Sequence, residues 1–234
     1  EDVQFQSVSP LPLGEWLLFN DWNPQPNEVL AMRPDGTGEV VVFRAYRIWA
    51  MGVSRDQNKI AFSAGDPEQE AHYGVTIGDA IQPTFVYDAI AESATNLTFG
   101  NINDECLHFG PSDKYLYLCR RYDFTPAGTF SGYRIGRVDL ETKAFSWLSD
   151  EDPDSLVLYP APIPDETQVY FARYVIGGKY SILRAPLPSL ENEQPFQEDA
   201  SAPVLDAAGT RMLYQDYAQQ GAIVAVDLDT GDRV

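Results

Sequence analysis

The chain has 234 residues, of which 44 % are hydrophobic and 12 % aromatic, enough apolar material for a packed core. No apolar run approaches the roughly 20 residues that a membrane-crossing helix needs. The net charge of −19, from 35 acidic and 16 basic residues, repels phosphate backbones and anionic lipid, and so argues against nucleic-acid and membrane-surface partners.

A polar tight-turn cluster followed by an aliphatic and aromatic strand returns five times, at residues 12–19, 55–62, 111–118, 164–171 and 207–214. Taking Leu17, Ile60, Leu116, Val169 and Met212 as one column, the steps are 43, 56, 53 and 43 residues. A period of about 40 to 50 residues with several short strands per unit predicts a β-propeller. The expectation is one all-β domain over residues 1–234, with five, alternatively six, four-stranded blades.

Alternating or unbroken apolar residues place the strands in chain order. The first unit has them at 4–9, 16–21, 28–33 and 39–44, and the second at 47–53, 59–63, 84–89 and 95–99. The third has 105–109, 115–120, 133–140 and 144–148, and the fourth 156–161, 168–174, 180–185 and 194–197. The fifth has 203–206, 211–216 and 222–228, ending in a stub at Arg233-Val234. Every blade is thus built from consecutive sequence, and residues 4–9 belong to the first blade rather than beside residues 222–228. Asp and Gly in the links 33–38, 139–143 and 227–232 suit turns that need side-chain-to-backbone bonds and positive φ. No segment sustains a 3.6-residue period, so almost no helix is expected. Two connections are long, 64–83 and 122–132, and long loops on a rigid scaffold are where binding concentrates.

These phrases resemble the Ser-Pro-Asp-Gly-Lys-Lys-Ile-Ala-Phe signature of TolB-like propeller repeats. Ser54-Arg55-Asp56-Gln57-Asn58-Lys59-Ile60-Ala61-Phe62 is the nearest copy. An aliphatic strand ending in Asp-Gly or Asp-x-x-Thr-Gly, its usual companion, appears at Val29–Gly36 and Val224–Gly231. The resemblance covers nearly the whole chain and implies periplasmic or secreted scaffolds, or propeller domains attached to serine peptidases. Such propellers usually have six blades, where five units are countable here. Resemblance of fold does not carry function with it.

Catalytic signals are sparse. There is no Gly-x-Ser-x-Gly elbow, and two histidines, His72 and His108, serve the whole chain. His72 and Tyr73 end an acidic stretch, Asp66-Pro67-Glu68-Gln69-Glu70, read here as an exposed loop and a candidate ligand contact. His108 falls on an innermost strand, as a channel-lining or core residue. Trp22, in the Pro- and Asn-rich segment after the first unit's second strand, is a candidate stacking platform. Asp227, Asp229 and Asp232 are weak candidates for a calcium loop, lacking the distal bidentate Glu of an EF-hand; no other cofactor is indicated. A turn centred on Ser112 and Asp113 would set Cys106 opposite Cys119, with Cβ atoms roughly 4.5 to 5.5 Å apart, within reach of a disulfide. The alternative is two buried thiols.

The functional expectation is a non-enzymatic, periplasmic or extracellular, monomeric scaffold that binds a protein, peptide or glycan through its loops and funnel. The alternatives are a propeller enzyme acting on a glycan at the central channel, and a regulatory domain of a larger protein.

Overall fold

The structure is a computed structural model that describes residues 5–11, 16–21, 26–75 and 80–234, with side chains from residue 17 onward. Its strands form five antiparallel sheets, each from consecutive sequence. The first comprises β1 (Phe5–Leu11), β2 (Trp16–Asp21), β3 (Asn27–Met32) and β4 (Val40–Ala45). The second comprises β5 (Ile48–Val53), β6 (Lys59–Ala64), β7 (Thr84–Asp88) and β8 (Ser93–Asn96). The third comprises β9 (Ile102–Phe109), β10 (Tyr115–Tyr122), β11 (Gly132–Asp139) and β12 (Phe145–Trp147). The fourth comprises β13 (Ser155–Pro162), β14 (Gln168–Val175), β15 (Tyr180–Pro186) and β16 (Gln194–Glu198). The fifth has three strands, β17 (Ala200–Leu205), β18 (Arg211–Asp216) and β19 (Ala222–Asp227).

The expected stub is present as one antiparallel bridge, Val226 to Arg233, with Ala225 and Val234 exchanging N–H···O bonds of 2.9 and 3.0 Å. β1 pairs with β2, so the first strand serves the first sheet, as the repeat spacing requires.

The recurrent phrase has one physical meaning. In each of four copies the first–second-strand turn closes with the same two backbone bonds, and its fourth residue is left-handed. Ser54 N–H donates to Lys59 O and Gln57 N–H to Ser54 O; Gly110, Ile163 and Asp206 repeat this with Tyr115, Gln168 and Arg211. The left-handed residues are Gln57, Asp113, Glu166 and Gly209, with φ of 68°, 54°, 54° and 69°. Only Gly adopts this without steric cost, which explains the Gly of the ideal phrase. Asp56, Asp165 and Asp206 accept N–H bonds from residues further along the turn and hold it closed. The first copy, at residues 12–15, lies outside the described residues.

By internal contacts the chain divides into two compact units, residues 1–109 with 121–131, and residues 110–120 with 132–234. The first is built around Leu18, Val29, Ile48, Met51, Ile60 and Phe62. Buried amides tie its first sheet to its second: Asn27 Oδ1 accepts the Ile48 N–H at 3.0 Å, and Asn20 Nδ2 donates to Ile48 O at 3.1 Å. Further along, β5 meets β9 backbone to backbone, since a Cβ on Gly52 would stand 2.6 Å from Leu107 O. The second unit centres on Tyr170, Ile182, Met212, Tyr214, Val224 and Val226.

One element corrects the sequence reading. Residues 67–73, expected as an acidic loop, are the helix α1 (Pro67–Tyr73). Its signals are local. Asp66 accepts N–H bonds from Glu68 and Gln69 at 3.1 Å each, Pro67 opens the first turn, and Gly74 ends it at φ 65°. Two turns are too short to print a helical period.

Candidate binding site on the first unit

The two long connections meet. α1 is anchored at both flanks: Arg47 pairs with Glu70 at 3.6 Å, and Gln69 Oε1 accepts the Gly100 N–H at 2.7 Å. In the second insertion, Asn101 Nδ2 donates to Phe124 O at 2.7 Å and Asp123 N–H donates to Asn101 O at 3.0 Å. Between them Val75, Ala80, Ile81 and Phe124 are buried as a small core of their own. Side chains left at the surface crown this core. His72 is exposed and meets the half-exposed Tyr73 edge to face, ring centres 4.8 Å apart. Phe130, also partly exposed, lies 5.6 Å from Phe124 and 5.3 Å beneath the Arg121 guanidinium. Arg121 is held in turn by the buried Glu105 at 2.8 Å.

A second recess in the same unit lies between β4 and β6–β7. It has a volume of about 290 Å³ and is lined by Phe43, Phe62, Phe85 and Tyr87. In the second unit, Asp150 and Asp152 border a polar recess of about 390 Å³ that also holds Arg173, ion-paired with Glu193.

His108, Asp227, Asp229 and Asp232 are not among the residues of this core or its crown. His108 is half-buried on β9, and desolvation holds its imidazole below the usual histidine range. Trp22 lies outside the described residues. Asp227 caps its turn, its Oδ1 accepting N–H bonds from Asp229 and Thr230 at 3.0 and 2.9 Å, which lowers its pKa. Asp88 and Asp139 do the same in the second and third sheets, so Asp227 repeats a structural device of the fold. Asp229 is exposed, and Asp232 Oδ2 accepts the Thr230 hydroxyl. Among the described residues, no three His, Cys, Asp or Glu side chains gather closely enough to hold a metal ion.

Both cysteines are free thiols, Cys106 half-buried and Cys119 buried. Cys119 Sγ accepts the Tyr159 N–H at 3.1 Å. Cys106 is left-handed, at φ 53°, as are Tyr159 and Ala202. In β13–β14 and β17–β18 the ladder slips by one residue beside those two positions, so a uniform register cannot be carried past such a bulge. Mass spectrometry of unreduced protein is therefore expected to find two alkylatable thiols; a mass 2 Da lower with no alkylation would contradict the thiol assignment.

No protein-family model matches the chain, and no curated protein does so in sequence. Solved structures do match in fold. TolB from Acinetobacter baumannii superposes at TM-score 0.74 with 13 % identity, covering 99 % of this chain and 53 % of that one. The fold is that of a TolB-like propeller. The nidogen/laminin complex structure matches at 0.69 with 10 % identity, over 99 % of this chain and 79 % of that one. An oligogalacturonate lyase solved with manganese matches at 0.67 with 10 % identity, over 100 % and 65 %. The chain spans about half the length of the A. baumannii TolB and under two thirds of the lyase. Binding proteins and enzymes thus share this architecture, and identity this low carries the fold alone.

Proposed function

We propose that the chain is a non-enzymatic binding scaffold, its five sheets the blades of one propeller, acting in the periplasm or outside the cell as a monomer. It takes a protein, peptide or glycan through the crown formed by α1 and residues 122–132. The observation that carries this reading is that two separate insertions pack around a shared core while leaving His72, Tyr73 and Phe130 at the surface. Aromatic side chains held on a rigid base suit an interface, because little rotamer freedom is lost on contact. The acidity of the chain favours a basic partner.

The test is affinity capture from the extracytoplasmic fraction of the source cells, with wild type and H72A/Y73A/F130A compared by quantitative mass spectrometry. Specific partners are expected to fall about 10- to 100-fold with the variant, as for loss of interface hot spots. Identical partner sets for both proteins would overturn the assignment to this crown. The second reading, a glycan-acting enzyme, is favoured by the likeness to the oligogalacturonate lyase. Release of unsaturated products from oligogalacturonate, read by ultraviolet absorbance, would establish it in place of the scaffold.

A further inference from the structure

We infer that the recess between β4 and the β6–β7 pair is an anchor pocket for one aromatic side chain, presented on a basic peptide segment of a partner protein. The inference rests on the scaffold reading, but on residues distinct from the crown.

The rings that line the recess form a continuous row. Phe43 and Tyr87 lie 4.7 Å apart with planes at 26°, Phe43 and Phe62 4.7 Å apart at 41°, and Phe62 and Phe85 5.4 Å apart at 16°. Beside Arg44 and Tyr46, the remaining wall is made of residues too small to fill the gap: Ala45, Ala64, Gly65 and Ala94. Gly65 cannot be enlarged cheaply, since a Cβ there would meet the Tyr46 ring at 3.1 Å and Arg47 Cβ at 3.2 Å. The space is therefore built into the packing. Its 290 Å³ is roughly twice the apolar cavity of about 150 Å³ that accepts benzene, enough for an indole or phenol with its methylene stem.

Chemistry selects the ring over a sugar. The polar side chains of the lining are Arg44 and the phenols of Tyr46 and Tyr87. Arg44 is already engaged by Glu28, with Nε donating at 2.8 Å. A saccharide would bury several hydroxyls with few partners, each unpaired group costing about 1–3 kcal/mol. An aromatic ring needs none, and adds offset-stacked contact with the row. Charge selects the carrier. Arg44 and Arg47 are each paired with a glutamate, so the cations at the rim are locally balanced, while a chain of net charge −19 attracts a cationic segment. Access is open: β4 and β8 are the outermost strands of their sheets, and Ala94 lies exposed on β8.

The experiment is an NMR titration with four probes that separate ring from charge and from sugar: tryptophanamide, N-acetyltryptophan, leucinamide and galactose. Tryptophanamide is expected to shift the methyl signals of Ala45, Ala64 and Ala94 at millimolar concentrations, with N-acetyltryptophan and leucinamide about 10-fold weaker. Ala94→Phe, which fills the recess from an exposed position, should abolish these shifts while leaving the rest of the spectrum intact. Tyr87→Ala should weaken them if Ala94→Phe proves misfolded, and H72A/Y73A/F130A should leave them unchanged. Equal shifts from leucinamide, undiminished binding to Ala94→Phe or folded Tyr87→Ala, or stronger shifts from galactose would each overturn the pocket. Failure here with partner capture by the crown intact removes the anchor and leaves the scaffold; the reverse pattern removes the crown and leaves the anchor.

Discussion

Phe62→Ala is expected to destabilise the first unit by about 3–5 kcal/mol, the usual range for truncating a buried phenylalanine. Phe62 is 3 % exposed and sits in the core beside Leu18, Ile48 and Ile60. Its ring touches Phe43 on one side and Phe85 on the other. Removing it breaks both ring contacts and joins the vacated space to the aromatic recess. Because that recess is open, water can enter the enlarged void, so the cost belongs in the lower half of the range. Phe62→Leu keeps most of the apolar volume and should cost less than half as much. Urea unfolding followed by intrinsic fluorescence measures both. A loss below about 1 kcal/mol for the alanine variant would mean that the site collapses freely and the row of rings is not a rigid wall.

The parts of this fold that the sequence discloses are those governed by local chemistry. The strand–turn–strand phrase is readable because one residue in each turn must be left-handed and an aspartate must cap its neighbours' N–H groups. These demands leave Asp, Gly and Asn at fixed places, as at Asp56-Gln57-Asn58 and Ala208-Gly209-Thr210. β2 and β18 lie where apolar alternation puts them, and the other ends move by three residues or fewer. α1 was open to the same local logic. Asp66, Pro67 and Gly74 are a start and a stop, but seven residues bury no continuous stripe, so periodicity is silent. Of the two readings of the cysteines, free thiols or a cross-strand pair, the structure has the thiols, and the choice was hidden for a reason of another kind. Numbering outward from a turn assumes an unbroken ladder, and each first–second-strand ladder with a defined register slips once: β1–β2, β5–β6, β13–β14 and β17–β18. Nothing in the residue pattern announces such a bulge. The aromatic recess is least legible, because it exists only where Ala45, Ala64 and Ala94, far apart in sequence, leave a common gap beside the rings. Tyr117 and Phe171 are fully buried, whereas Phe43 and Tyr87 are only partly buried and line the recess.

Asp104→Ala should cost about 2–4 kcal/mol, although it removes a charge from the interior. Asp104 is fully buried on β9, and its Oδ2 accepts the hydroxyls of Thr84 and Thr98 at 2.8 and 2.7 Å. Thr98 Oγ1 also accepts the Thr84 N–H at 2.7 Å, so one carboxylate oxygen fixes the start of β7 and the second residue past the end of β8. Two effects oppose each other. Deleting a buried carboxylate relieves its desolvation, but it leaves two buried hydroxyls without their acceptor, at about 1–3 kcal/mol each, and opens a small void. The second effect prevails because both hydroxyls remain enclosed: Thr84 is 0 % and Thr98 4 % exposed, so water cannot replace the carboxylate. Asp104→Asn retains a carbonyl oxygen for the hydroxyls and should lose less than half as much. Thr84→Val combined with Asp104→Ala should cost less than the sum of the single changes by about 1 kcal/mol or more, because the valine no longer needs an acceptor. Urea midpoints for wild type, the two single variants and the double variant close the cycle. Strict additivity, or an alanine variant within 1 kcal/mol of wild type, would show that the two threonine hydroxyls find other partners and that Asp104 does not hold the second sheet to β9.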